Sequence, residues 1–375
     1  MSQHLPEATD VFIVGGGPAG LAAAIAARQR GFRVVVADGG QPPIDKPCGE
    51  GLLPDSVSAV EQLGIQFPLN ESRRFRGIRF VSARHRADAL FRDTECGVAV
   101  RRTSLHRVMI ERAAQLGVAM YWRTPVAGIS SGGVLISGQC VRAQWIVGAD
   151  GANSRVRKWA GLERGPRPRL RYAFRQHFRV APWADHMEVY WGNTCQGYAT
   201  AVGPDQMCVA LASNDPRMRL EEGLRALPAL ERRLHGAEVT SAERGSLTGN
   251  RKFHRVWRNN LILIGDASGT VDAITGEGLG LAFSQAVALA AALECSKPAD
   301  YQRAHRRLAL RPMYMARLML TLDRRPRLQS RTLQVFERRP EIFRRLVEFH
   351  VGSLPPLHLV KDGLALGWGL LTTQP

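Results

Sequence analysis

Lysine is scarce in this chain. Five lysines stand against 46 arginines, and with 33 acidic residues the formal net charge is +18. The basic residues are spread widely, with neither zinc-finger spacing nor an aromatic RNA-binding signature, so no nucleic-acid partner is expected. The positive balance still suits acidic substrates or anionic membrane surfaces. Cysteine is sparse too. The six cysteines, at positions 48, 96, 140, 195, 208 and 295, form no C-x-x-C pair and no compact disulfide framework. H-E-x-x-H and paired Cys/His sets are missing, so no metal site is expected. The elbow motif of a serine nucleophile is missing as well. No apolar run reaches the about 18 residues that span a bilayer. Met1–Asp10 lacks the charged and apolar regions of a signal peptide. The expected setting is therefore cytoplasmic and reducing.

What the chain does have is 375 residues with 45% hydrophobic content, enough for a large two-domain protein with a sizeable core. Its organising stretch is Asp10–Arg28. An apolar run, Val11 to Val14, reads as a buried parallel strand. Gly15, Gly17 and Gly20 follow in G-x-G-x-x-G spacing, with Pro18 and Ala19 between them, and an Ala-rich helix begins at Leu21. Gly15 allows the tight turn, Gly17 lets the backbone approach a pyrophosphate, and Gly20 lets helix and strand pack closely. The helix N-terminus then faces phosphate with free N–H groups and a positive dipole end. A second strand, Arg33 to Ala37, ends at Asp38, whose carboxylate can accept both hydroxyls of an adenosine ribose. Strand, glycines, helix, strand and acid together indicate a dinucleotide, without saying which.

The rest of the chain alternates between two kinds of sequence. Gly39–Glu50 is a Gly- and Pro-rich loop, followed by a helix from Asp55 to Leu63 capped by Asp55 or Ser56. Phe75–Phe91 suggests a hairpin, and Thr103 or Ser104 opens a helix to Gln115. Trp145–Asp150 is a buried strand ending in a polar turn. Arg164–Arg171 resembles a linker. Tyr172–Val180, Met187–Trp191, Gly197–Val202 and Met207–Ala212 read as an antiparallel sheet, and Arg219–His235 as one helix. Leu261–Ile264 leads into Gly265-Asp266, and a long apolar helix starts at Gly278. Ala299–Phe349 is helical and Arg-rich, with Pro312, Pro326 and Pro340 expected to break it. The expected segments are 8–74, 98–163 and 255–296 for a dinucleotide-binding domain, 75–97 and 164–254 for a substrate domain, and 297–375 for a C-terminal helical region.

Two further stretches bear on the cofactor. Asp150-Gly151 follows one strand. Gly265-Asp266 follows another and leads to Gly276, Gly278 and Gly280, which permit close backbone approach to a flat ring. Asp266 can accept a hydrogen bond from a flexible polyol, and the helix starting at Gly278 directs its positive end toward the ring. With Gly15–Gly20, these motifs resemble the class A FAD-dependent monooxygenase superfamily, with its para-hydroxybenzoate hydroxylase-like fold. The match spans roughly residues 10 to 295, with the three motifs in the family's order. The stretches Lys46–Leu52 and Gly265–Gly278 look most like its geranylgeranyl reductase-like branch. That branch carries proline where Ala273 stands here, and an aromatic cavity motif that Gly197–Gly203 does not reproduce.

The resemblance implies an α/β architecture: a glutathione-reductase-type FAD-binding Rossmann domain, an antiparallel β-sheet substrate domain and C-terminal helices. It implies FAD as cofactor, with NAD(P)H as transient reductant, since no second G-x-G-x-x-G domain is present. Asp38 would bind the adenosine ribose, Arg102 the phosphates or ribityl, Asp266 the ribityl chain, and Asp150 would belong to a motif serving FAD and nicotinamide. Gly39, Lys46, Cys48, Gly49 and Leu279 join the cofactor set. Halogenation is not expected, because the family's tryptophan-rich halogenase motif and its lysine are missing.

Beside each sharp assignment stands a bland one. Cys48 either touches substrate or flavin, or is a small residue in a tight turn. Glu277 either donates a proton at the flavin edge or serves the helix end. His177, Tyr190, Trp191 and Tyr198 either line a substrate cavity or are core. The Arg-rich tail is either a solvated face or a basic amphipathic surface on an anionic membrane. Leu318, Met319, Leu320 and Leu322 would pack on the substrate domain. The leading expectation is NAD(P)H-driven hydroxylation of a hydrophobic aromatic or polyketide-like molecule through a flavin C4a-hydroperoxide. The alternatives are flavin-dependent reduction of isoprenoid double bonds, or a flavin-binding partner protein without turnover.

Overall fold

A computed structural model describes residues 4–130, 133–165 and 169–355. Its first sheet is a stack of apolar strands in the order Trp257–Arg258, Leu261–Leu263, Gln139–Gly148, Ala8–Val14, Val34–Ala37, Ala119–Tyr121. All neighbours run parallel except the first pair. Consecutive residues of these strands are buried, so both faces are covered, with Pro18–Gln29 and Gly278–Glu294 packed against each other in the same core, and the strands read as unbroken Val/Ile/Leu runs rather than alternating ones. The register decides function. Val14 pairs with Ala37 and with Gly148, and Gly148 with Leu263, so three parallel strands stop level with the central one. Asp38, Asp150 and Asp266, far apart in sequence, therefore emerge at one edge of the sheet beside Gly15, where α/β folds bind ligands.

The second sheet orders Glu238–Val239, Arg171–Arg179, Gln206–Ser213, Cys195–Ala201, His186–Trp191, Gly77–Val81, Arg86–Leu90. It departs from the expected antiparallel sheet at one joint: His186–Trp191 and Gly77–Val81 run parallel, because the two segments come from distant parts of the chain. Strands Gly51–Leu52, Gly97–Val100 and Ser72–Phe75 form a small third sheet astride the boundaries expected at 74/75 and 97/98.

Two helical expectations need correction. Arg219–His235 is two helices, Leu220–Arg225 and Pro228–Leu234, because Pro228 starts the second at its first position. Pro312 does not break its helix. It lies inside Pro298–Asp323, buried, while Pro326 and Pro340 open the next two helices, Pro326–Arg338 and Pro340–His350. The linker expected at 164–171 includes residues 166–168, outside the described residues, as does 356–375 of the C-terminal region.

The three last helices lay their apolar faces on the second sheet. Phe343 packs 4.6 Å from the Phe80 ring and stacks on Phe336 at 4.8 Å. Met319 and Leu322 are buried in the same cluster, as expected, with Leu320 partly so. Each fully buried side chain of this size contributes about 1.5–3 kcal/mol. Among the described residues no helix is long and apolar enough to cross a membrane.

Candidate functional site

The glycine loop is held by its surroundings. Gly15 has φ +111°, and a Cβ there would strike the Ala149 carbonyl. A Cβ on Gly20 would strike the Gly15 carbonyl. The Asp38 carboxylate accepts N–H bonds from Gly16 and Gly40, both at 2.6 Å. His106, from helix Arg102–Gln115, donates Nε2–H to the Gly16 carbonyl (2.8 Å) and accepts the Ile44 N–H at Nδ1 (3.2 Å). Burial lowers its pKa, so it serves as a neutral strut.

Other glycines look onto open space. A Cβ on Gly17, Gly49, Gly151, Gly276 or Gly278 would meet nothing within 4 Å. Gly280, expected to face a flat ring, does not: a Cβ there would collide with Ser56, so it serves helix packing. A Cβ on Gly265 would collide with Ala19, which places the loop after the last strand against the first turn of the Pro18–Gln29 helix. Pro18 is the first residue of that helix, Gly39 lies on the exposed loop after Asp38, and Leu279 packs partly buried on the main core.

Charged groups accompany these loops. Lys46 Nζ lies 2.9 Å from Asp266 Oδ2, both side chains about half exposed. Arg102 is buried, and its Nη1 has no hydrogen-bond partner. Burial lowers its pKa, and Asp266 and Glu50 offset part of the cost of burying its charge. A buried guanidinium with an unused donor beside bare backbone at Gly17, Gly49 and Gly276 fits an anionic dinucleotide carrying a flat ring. Asp150 lies at the same edge, but its carboxylate is engaged locally. It accepts from Ser154 Oγ (2.5 Å), Arg155 N (2.7 Å) and Val156 N (3.1 Å), and so caps the helix Arg155–Trp159.

Glu50, absent from the expected site, is central to the loop carrying Cys48. It adopts φ +59° and is buried. Its Oε1 accepts the Arg102 N–H (3.0 Å) and its Oε2 faces His177 Nε2 at 2.7 Å. His177 Nδ1 is contacted by Ser241 Oγ (2.9 Å) and Arg175 Nη1 (3.2 Å), and Arg175 pairs with Asp45. Glu50, His177 and Cys208 bring one ligand atom each within 4.8 Å, a grouping with metal-ligating chemistry that sequence reading had not anticipated. Glu50 and His177 already satisfy each other there, and burial holds the Cys208 thiol well above its usual range, so the cluster acts as a polar strut. Burial also raises the Cys48 thiol, and this outweighs the opposite pull of Arg102, so the balance is against a thiolate.

Behind Ile274 and Thr275 lies an apolar chamber lined by Ile78, Phe80, Met187, Tyr198, Met319 and Phe343, and reaching His350. Its volume is about 30 Å³. Tyr198 lines it and donates to the Ile274 carbonyl at 3.1 Å. Trp191 does not line it, but packs in the apolar cluster behind it, against Phe80. Tyr190 and His177 do not line it. Strand alternation turns Tyr190 to the opposite face, where it donates to Glu188 (2.6 Å), and His177 lies in the Glu50 cluster. A larger open groove between Ala26, Arg30, Val287 and Glu294 (440 Å³) is bridged by an Arg30–Glu294 ion pair and contains none of the strand-end motifs.

The sheet edge, glycine loop and basic cleft define a flavoprotein of the FAD-binding Rossmann class. A family model described as an FAD binding domain matches residues 8–298, and the chain belongs to that class A flavoprotein monooxygenase-like family. It is similar to digeranylgeranylglycerophospholipid reductase 1 of Methanothermobacter thermautotrophicus (28% identical over 301 residues, 72% of this chain and 73% of the relative). It is also similar to a menaquinone reductase of Mycolicibacterium smegmatis (30% over 307 residues, 72% of each). A solved flavoprotein/dehydrogenase from Cytophaga hutchinsonii shares the fold, with TM-score 0.83, 16% identity and 97% and 99% of the two chains covered. The protein is an FAD-dependent oxidoreductase.

Proposed function

We propose that this enzyme reduces carbon–carbon double bonds in the polyprenyl part of a lipid or quinone, with NAD(P)H as reductant. The observation that carries the reading is the apolar chamber beside Gly276, roofed by the C-terminal helices, in a chain whose relatives are named for prenyl-lipid and menaquinone reduction. Bound FAD supplies the hydride. Gly17 and the N-terminus of the Pro18–Gln29 helix would hold its pyrophosphate, Asp38 its ribose, Lys46, Arg102 and Asp266 its phosphate–ribityl span, and Gly276–Gly278 its ring. The chamber's apolar lining would exclude water from the reacting carbon and orient an apolar chain. At about 30 Å³ it admits that chain by displacement of Met187, Met315 and Met319, whose unbranched side chains repack readily.

The outward face of Pro298–Asp323 suits delivery of such a substrate from an anionic membrane. Arg303, Arg306, Arg307, Arg317 and Arg324 flank Leu310 and Tyr314, which are 67% and 56% exposed. The same closed chamber favours a second reading, O₂-dependent hydroxylation of a hydrophobic aromatic or polyketide-like molecule, since that chemistry also needs water excluded. Incubation of FAD-loaded enzyme, NAD(P)H and menaquinone, with and without O₂, separates the two by product mass. Gain of two hydrogens without O₂ is the expected result. Gain of oxygen only in air would replace reduction with hydroxylation.

A further inference from the structure

The Gly278–Glu294 helix begins directly after Glu277, which is 3% exposed. Neither carboxylate oxygen has a hydrogen-bond partner. An unpaired, desolvated carboxylate is among the costliest groups a protein interior can hold. Four residues surround it: Thr275 of the preceding turn, Asp55 of helix Pro54–Gln62, Arg311 of helix Pro298–Asp323 and His350 of helix Pro340–His350. Arg311 does not neutralise it. Its guanidinium pairs with Asp55, and its Nε stays 3.9 Å from Glu277 Oε1.

His350 decides the proton count. Its Nε2 lies 3.2 Å from the Thr275 carbonyl oxygen. A carbonyl only accepts, so Nε2 carries the hydrogen, and in the neutral ring Nδ1 presents a lone pair. That lone pair lies 3.5 Å from Glu277 Oε2. The ring is neutral because burial, and then Arg311, push its pKa down to about 4. A lone pair facing a carboxylate repels it, whereas a lone pair facing a carboxylic acid receives a hydrogen bond. Burial and Asp55 raise the Glu277 pKa well above the carboxylate range, against Arg311 and the Thr275 hydroxyl, in the same sense.

We propose that Glu277 and His350 are the proton donor of the apolar chamber: Glu277 stores the proton as a neutral acid, and His350, which lines the chamber, delivers it to the substrate. The proposal rests on the reductive reading, because a hydride added at one carbon of a double bond requires a proton at the other. The Nε2–H of His350 turns from the Thr275 carbonyl to the substrate, and its N–H bond breaks as the substrate C–H bond forms. The Glu277 O–H bond breaks as Nδ1–H forms. His350 ends as the other neutral tautomer and Glu277 as a carboxylate facing Arg311; the resting state returns when solvent reprotonates Nε2 and Nδ1 gives its proton back to Glu277. Both electrons arrive with the hydride from the NAD(P)H–FAD couple. Glu277 acts through His350, so it is a positioning residue and a proton store. Its histidine comes from the C-terminal helical region and was not among the residues singled out from the sequence.

The test has two arms on the FAD-loaded full chain. The first is infrared spectroscopy without substrate. Wild type is expected to show a protonated-carboxyl C=O band near neutral pH that shifts in D₂O, disappears in Glu277→Gln and moves in frequency in His350→Phe. Absence of the band in wild type, or its persistence in Glu277→Gln, overturns the proposal whatever the substrate. Glu277→Gln keeps an N–H donor for Nδ1, which preserves the packing. The second arm follows anaerobic single turnover of menaquinone by dithionite-reduced enzyme in D₂O. Both variants should slow reduction by about 10²–10⁴-fold with FAD affinity unchanged, and wild type should place two solvent deuterons in the product, one through the solvent-exchanged reduced flavin and one through His350. Undiminished reduction in both variants removes the catalytic role. If wild type reduces no menaquinone, the reductive reading fails, and the infrared arm alone decides whether the pair holds a proton.

Discussion

Two glycines of one loop should respond to substitution in opposite ways. Gly17 precedes the first helix with φ −71° and ψ 177°, an extended conformation open to any residue, and a Cβ there meets nothing within 4 Å. Gly17→Val should leave the apoprotein within about 0.5 kcal/mol of wild type. The added methyls occupy the space in which the pyrophosphate must meet the helix N–H groups. Losing two hydrogen bonds to a charged group, at about 1.5–3 kcal/mol each, weakens FAD binding by about 3–6 kcal/mol, or roughly 10²–10⁴-fold. Gly20 is the counter-case. Its added Cβ meets the backbone carbonyl of Gly15, and Gly15 is itself wedged against Ala149. Neither side is a flexible side chain, so Gly20→Ala should destabilise the apoprotein by about 1–3 kcal/mol. Urea denaturation of the two apoproteins and titration of each with FAD give all four numbers. If Gly17→Val binds FAD with wild-type affinity, the phosphate does not lie against Gly17. If it unfolds as readily as Gly20→Ala, the open space inferred at Gly17 is wrong.

Three further outcomes are expected. Asp266→Ala should weaken FAD binding and free Lys46, and unchanged affinity in a fluorescence titration would remove Asp266 from the site. Glu50→Ala strands His177 and the Arg102 N–H in the interior and should cost about 3–5 kcal/mol in denaturant unfolding of the apoprotein, with an unchanged midpoint as the contrary result. His305 and His350 are held at about 4 in the fold against an unfolded value of 6.5. As pH falls from 6.5 towards 4 only the unfolded chain takes up their protons. Stability should therefore be full above 6.5 and drop across that window, by at most about 1.4 kcal/mol per pH unit per histidine. His305→Gln should flatten the decline, and an unaltered pH–stability curve would contradict its neutral burial.

The cofactor half of the molecule was legible in sequence because its signals are local. A tight turn needs glycine at Gly15, a helix start tolerates proline at Pro18, and an apolar run before each marks a strand buried on both faces. The substrate half was less legible. Alternation on a strand says which residues share a face, but not which face meets the cofactor, so Tyr190 and Tyr198 looked equivalent and are not. Glu50 lay inside a recognised loop and was passed over, because nothing in its neighbours announces a positive φ or a partner 127 residues away at His177. Pro312 looked like a break because local propensity has no access to the packing that holds a helix through it.

The sequence by itself determined the parallel βα framework, the dinucleotide loop and the FAD class, all written in short-range spacing that backbone geometry enforces. Only the tertiary structure decided which distant residues share an edge or a chamber. Register brought the strand ends to one edge, and burial of three amphipathic helices carried His350 to within 3.5 Å of Glu277. That juxtaposition follows from apolar surface leaving water, a force that depends on area and shape and carries no sequence spacing of its own.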